Sequence, residues 1–137
     1  MLKKTLFALI FGLSFLSVWA KDMKIKITVN NQEFTATLQD NKATQELVQM
    51  LPLQLDMTEL NGNEKYHQFK NKQFSTQSQN VKNIANGDLM LFGDNYLVIF
   101  YQDFKTNYSY TPLGKVDNPK NLPKALGRGN VRVKIEK

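Results

Sequence analysis

The chain of 137 residues contains no cysteine. That absence excludes a disulfide framework and the lipid-bearing cysteine of a bacterial lipoprotein, and it leaves the fold to be held by its core alone. Histidine is nearly absent as well. His67, the one imidazole, stands beside Tyr66 without a partner at metal spacing and reads as a surface or packing residue. No metal site and no cofactor is therefore expected. The chain has no G-x-S-x-G nucleophile motif and no glycine-rich phosphate loop. Asp88 and Asp94 flank a strand and a turn, where capping or solvation accounts for them, so no acid–base role is assigned. Arginine is scarce too: Arg128 and Arg132, both near the end, are the only two.

The apolar run Leu6–Val18 has thirteen residues, short of the ~20 that a membrane-spanning helix needs. It follows Lys3 and Lys4 and ends in Val18-Trp19-Ala20, with small residues where a signal peptidase reads them. These features predict a signal peptide over residues 1–20, cleaved after Ala20, with a domain over residues 21–137. The alternative is an uncleaved N-terminal anchor. Cleavage leaves a periplasmic or secreted protein without a membrane anchor, and the sequon Asn107-Tyr108-Ser109 is read as coincidental.

Removing Lys3 and Lys4 leaves sixteen Lys and Arg against twelve Asp and Glu over 117 residues, enough chain for one full core. The positive excess lies entirely in residues 115–137, with seven basic and two acidic side chains. Such a patch could meet nucleic acid or anionic lipid. However, Arg132 and Lys134 alternate with Val131, Val133 and Ile135, the pattern of a half-buried strand with a solvated face. No nucleic-acid partner is expected, and the protein is expected to be a monomer.

Ile25, Ile27 and Val29 alternate with polar residues, as do Phe34, Ala36 and Leu38 after Asn30-Asn31, and this predicts a hairpin with one apolar face. Asp40 or Asn41 can cap a helix carrying Ala43, Leu47, Val48 and Leu51 on one stripe, until Pro52 stops it. Leu53, Leu55 and Met57 resume a period of two, and Asn61-Gly62 marks a tight turn. From His67 to Asn86 only Phe69, Phe74, Val81 and Ile84 offer anything to bury, which predicts a long connection pinned by the two phenylalanines. Leu89–Phe92 and Tyr96–Tyr101 read as a central hairpin covered on both faces. Tyr108–Leu113 gives a further strand. Asp117 or Asn118 is then expected to cap a short helix with Pro119 in its first turn and Gly127 as its stop, before a last strand over residues 130–136.

The fold class is therefore mainly β, with seven or eight strands and two short helices. A closed or nearly closed barrel removes exposed edges, and a sandwich is the alternative. Seven aromatic residues, Phe92, Tyr96, Phe100, Tyr101, Phe104, Tyr108 and Tyr110, fall within nineteen positions. Phe100 and some tyrosines are expected to fill the barrel. Others must stay wet, and Tyr66, Tyr101, Phe104, Tyr108 and Tyr110 are the candidates for a groove that binds a peptide, a protein or a small ligand.

The segments MKIKITVNNQEFTATL, LNGNEKY, GDLMLFGDNYLVIFY and YSYTPLGKVDN, in that order and spacing, resemble the bacterial cyclophilin-like domain family over most of residues 23–136. The resemblance implies a cyclophilin-like barrel with a short helix after the first hairpin. Prolyl isomerisation in cyclophilins uses an apolar pocket and an arginine, just before a Gly-Phe-Met strand, that donates to the prolyl nitrogen in the twisted state. The matching stretch here, Val81 to Leu91, contains no arginine, and Leu91 falls near the place of the groove glutamine. Lys82 is the sole nearby cation and lacks a planar, oriented fork of donors. The missing arginine and glutamine, together with the expected export signal, point to a non-catalytic binding domain of the cell envelope, with a divergent prolyl isomerase or folding helper as the alternative and Lys82 as its weak candidate.

Overall fold

Asn30 and Asn31 both adopt positive φ, 49° and 63°, a conformation asparagine tolerates better than most residues. They join β1 (Met23–Val29) to β2 (Gln32–Leu38) in the expected hairpin, whose Ile25, Ile27, Val29, Phe34, Ala36 and Leu38 are all buried. The computed structural model describes residues 23–137, so the expected signal peptide and its cleavage site lie outside the described residues.

Of the two caps available to the first helix, α1 (Lys42–Met50), Asn41 is the one used. Its Oδ1 accepts the Thr44 N–H at 2.9 Å while Thr44 Oγ1 accepts the Asn41 N–H at 3.1 Å, a reciprocal capping box. Leu51, immediately before Pro52, leaves the helix for extended backbone. Then β3 (Leu53–Leu60) turns through Asn61-Gly62, both at positive φ, into β4 (Glu64–Gln68).

The long connection is ordered by three anchors. Phe69 and Phe74 are buried with ring centroids 5.3 Å apart, as expected. Glu46 of α1 supplies the third: its carboxylate accepts the Ser75 hydroxyl at 2.6 Å and the Ser75 N–H at 3.1 Å, and pairs with Lys72 at 3.1 Å. These bonds, the Ser75 hydroxyl foremost, hold the Glu46 carboxyl down to about 2. The segment goes on through β5 (Gln79–Asn80) and β6 (Asn83–Ile84).

The central hairpin is β7 (Asp88–Phe92) and β8 (Tyr96–Phe100), followed by β9 (Phe104–Lys105) and β10 (Ser109–Val116). The second helix, α2 (Leu122–Leu126), begins later than the sequence predicts. Asn121 precedes it and Pro123 lies in its first turn, in place of Asp117 or Asn118 and Pro119. Asp117 is occupied elsewhere, since its carboxylate accepts the Thr37 hydroxyl and the Lys24 ammonium on the first hairpin. Gly127, at φ 71°, ends the helix as expected, and β11 (Val131–Glu136) follows.

Eight of these strands form one antiparallel barrel in the order β2-β1-β11-β3-β4-β8-β7-β10, and β10 closes it by pairing back onto β2. The barrel interior holds the main core, including Ile27, Leu38, Met57, Leu91, Ile99, Leu113 and Leu122. On the outer face of the wall, Met90, Val98, Phe100, Tyr110 and Ile84 form a second buried cluster. The central hairpin is therefore covered on both faces, as its apolar runs require. Phe100 departs from expectation: it is fully buried, but outside the barrel, because Ile99 takes the inward position and the pleat sends its neighbour out.

Closure rests on Gly114. It pairs with Leu38 of β2 on one side and Leu89 of β7 on the other, just past an irregularity between Pro112 and Gly114. A Cβ on Gly114 would overlap the Thr37 carbonyl oxygen and lie 2.8 Å from the Leu38 Cα, so β2 and β10 approach more closely than any side chain allows. Gly114→Ala is expected to destabilise the protein by about 3 kcal/mol or more, because the clash is with backbone that cannot repack locally. Chemical denaturation measures this, and a loss within about 1 kcal/mol would show that the seam can open without consequence.

Candidate functional site

Five barrel strands, β3, β4, β8, β7 and β10, present an outer face that residues 104–108 only partly cover. The uncovered part is a groove of about 710 Å³. Its position follows from strand register. Phe92 lies opposite Tyr96 and Met90 opposite Val98 across the central hairpin, while Tyr66 lies opposite Val98 on the other side. Alternation then brings these side chains to one face.

The aromatic rings of the groove form one connected series. Tyr66 meets Tyr96 at 5.8 Å between centroids, Tyr96 meets Phe92 at 6.3 Å, and Phe92 meets both Tyr108 at 6.1 Å and Tyr110 at 5.6 Å. Tyr110 and Phe104 then pack against Phe100 beneath. The contacts are tilted or edge-on, the geometry aromatic quadrupoles favour. Phe92 and Tyr108 remain 42% and 66% exposed, so the groove keeps a wet aromatic rim over a buried floor.

Of the sequence candidates, Tyr66, Phe104, Tyr108 and Tyr110 come together here. Tyr101 does not. It falls on the opposite parity from Tyr96, Val98 and Phe100, turns inward and is buried in the main core. There its hydroxyl donates to Glu59 Oε1 and its ring lies 5.0 Å from the Lys65 ammonium. Lys65 is fully buried, donating to Glu59 at 2.8 Å and to the carbonyls of Gly127 and Gly129 at 2.8 and 2.6 Å, just past the end of α2. Burial pushes Glu59 up, but bonds from Lys65, Tyr101 and the Gly62 N–H outweigh it and leave the carboxyl below its ordinary value. The Tyr101 phenol is pushed up to about 12, by burial first and by its bond to Glu59 second.

Lys82, at φ 63°, is exposed and is not among the residues that line the groove. Leu91 is 1% exposed within the barrel interior. Among the described residues the only groove cation is Lys105; Arg128 lines a separate cleft with Glu59 and Tyr101, and Arg132 pairs with Asp56 at 3.2 Å. His67 Nδ1 donates to the Asp56 carbonyl at 3.0 Å, and its ring packs edge-on to Phe69. No group of three or more His, Cys, Asp or Glu that could hold a metal occurs among the described residues.

Among the groove residues that the sequence did not single out are Phe92, Tyr96 and Glu64. Tyr96 and Phe92 share parity with Val98 and Met90, a signal available once the hairpin turn is placed. Glu64 gave no signal, since much of the groove that it lines, Phe104 and Tyr110 included, arrives from later in the chain. Burial first, and the neighbouring Glu59 charge second, push its carboxyl from 4.5 up to about 7. The proton is held more tightly by the folded chain than by the unfolded one, so ionising Glu64 opposes folding. Its cost is absent below about pH 4 and fully present above about pH 7. Melting temperature is expected to fall more steeply between these limits in the wild type than in Glu64→Gln, with the two curves meeting in acid. Thermal melts across pH test this; parallel curves would remove Glu64 from the account.

Comparison with known proteins agrees with the architecture. The sequence profile of the cyclophilin-like family matches residues 27–136, and the chain belongs to that family. A hypothetical protein of Archaeoglobus fulgidus, solved in solution, superposes with a TM-score of 0.61 at 12% identity, over 88% of this chain and 98% of its own. McbB, solved in complex with tryptophan, superposes with a TM-score of 0.59 at 19% identity, over 82% of this chain. The alignment spans 44% of McbB, less than half its length. No curated protein matches the chain.

Proposed function

We propose that this member of the cyclophilin-like family is an exported, non-catalytic binding domain of the cell envelope, whose groove on the outer barrel wall takes a small ligand or a short peptide. The observation that carries this reading is the pairing of exposed Phe92 and Tyr108 above the buried Tyr110. Aromatic rings left in water over a preformed hollow of this volume are the common make-up of ligand sites, in which binding recovers the apolar surface that folding left exposed. A molecule the size of the tryptophan that McbB holds fits such a groove with room to spare. The absence of arginine among the groove residues supports binding without isomerisation, as does the position of Leu91 on the inner side of the wall. Export rests on the N-terminal segment that precedes the barrel in the sequence.

The test is ligand-observed NMR on residues 21–137 with mixtures of aromatic fragments and short peptides, followed by amide-shift mapping. Hits are expected to move the amides of Phe92, Tyr96 and Tyr108. The pair Phe92→Ala and Tyr108→Ala is expected to weaken them about ten-fold while the protein still unfolds cooperatively, since both side chains belong to the exposed rim and neither to the two buried cores. Hits that map to the cleft between Glu59 and Arg128, or that survive the double substitution, would overturn the assignment.

A further inference from the structure

One carboxyl separates the groove from an ordinary apolar hollow. Glu64 opens β4 on the outward side that Tyr66 shares, opposite Phe100 in the ladder, and lines the groove. Only burial and the Glu59 charge act on it, and both disfavour its ionised form. Lys65, its neighbour in sequence, faces the other way and spends its three protons on Glu59, Gly127 and Gly129. Lys105 of β9 stands exposed on the groove's edge and forms no salt bridge with Glu64. The other titratable groups that line the groove are phenols: Tyr66 on its own strand, Tyr96 on β8, Tyr108 just before β10 and Tyr110 within it. His67 of β4 bonds the Asp56 carbonyl, Asp56 of β3 pairs with Arg132, and Asp88 of β7 pairs with Lys115 of β10, none of them among the groove's lining residues. Asn63 Oδ1, enclosed next to Glu64 in the chain, also accepts no hydrogen bond.

A half-buried carboxylate without a counter-ion is costly, and a ligand that carries a positive charge removes the cost. The rings beside it favour the same sign, because their faces are electron-rich and attract cations within about 6 Å. A bare metal ion would need several oxygen ligands, which this groove does not gather. We infer that the groove takes a small organic cation, an amine or methylated ammonium on an apolar body, with Glu64 as its counter-ion and the rings of Tyr66, Phe92 and Tyr96 against its carbon. Its volume, about 710 Å³, lies within the range of small-molecule sites. This inference rests on the groove being the binding site, and it adds the chemical class of the ligand.

The decisive comparison uses 2-phenylethylamine and its uncharged counterpart 2-phenylethanol, titrated by NMR into wild type and Glu64→Gln at about pH 8 and about pH 5. The amine stays charged at both. At about pH 8 it is expected to bind the groove about ten-fold more tightly than the alcohol, an advantage that shrinks in acid as Glu64 takes up its proton. Glu64→Gln should bring the amine to the alcohol's affinity at both pH values and leave the alcohol unchanged. Saturating amine should also lower the pH at which the Glu64 carboxyl resonance titrates. Equal binding of both probes in the groove would sink the cation while sparing the groove. Binding of neither, or shifts confined to other surfaces, would overturn both. A lysine-containing peptide that binds more tightly than the amine would replace the small molecule with a protein side chain.

Discussion

Everything on the outer wall depends on the closure of the barrel at β10. Its last residues pair with β2 on one side and β7 on the other, and this is possible only because Gly114 lets the β2 backbone come within the space of a missing side chain. Were the seam open, β2 and β10 would be edges, and the five strands that bear the groove would be free to flatten. Closure fixes their curvature. It also divides the apolar side chains into an interior that fills itself and an exterior that must find other cover.

The exterior is covered unevenly. Ile84 and Phe104, on the paired two-residue strands β6 and β9, bury Met90, Val98 and Phe100, and Tyr110 completes that cluster. Towards Phe92 the cover stops, and the ring series emerges into water at Tyr108. The groove is thus a continuation of the second core, with the same strands and the same register but without the last layer. Such a site has a packed floor and an exposed rim, and a floor already ordered by folding limits the entropy lost when a ligand settles on it.

Periodicity made most of the barrel legible, because β1, β2, β3 and β11 alternate, the central hairpin is two unbroken apolar runs, and the turns after β1 and β3 carry Asn-Asn and Asn-Gly at positive φ. What escaped was decided by partners distant in sequence. Asp117 could cap the next helix from its sequence position, yet Thr37 and Lys24 claim it from across the seam. Tyr101 belonged to the aromatic cluster by composition, but one step of pleat separates it from Phe100 and sends it to Glu59. Four of the five proposed groove residues converge because three of them lie in residues 104–110, around the start of β10, and the fourth faces β8 from β4. Glu64 was invisible for a stronger reason: a glutamate after Gly62-Asn63 reads as a solvated turn flank, and only the folded wall deprives it of water.

That deprivation is itself shaped from the other side of the sheet. Glu59 and Lys65 are paired across the β3–β4 ladder and face away from the groove, whereas Leu60 and Glu64, the next pair, face it. Lys65, Tyr101 and the Gly62 N–H together outweigh the effect of burial on Glu59 and hold its carboxyl below its ordinary value. The fixed negative charge then acts through the thin wall on Glu64, adding to what burial already does. A network on the other side of the sheet thus adds to the burial that already disfavours the ionised form of the groove's one acid. The fully buried lysine is consequently more than a satisfied core residue. By helping to hold Glu59 as an anion it adds to the burial that keeps the Glu64 carboxyl raised to about 7.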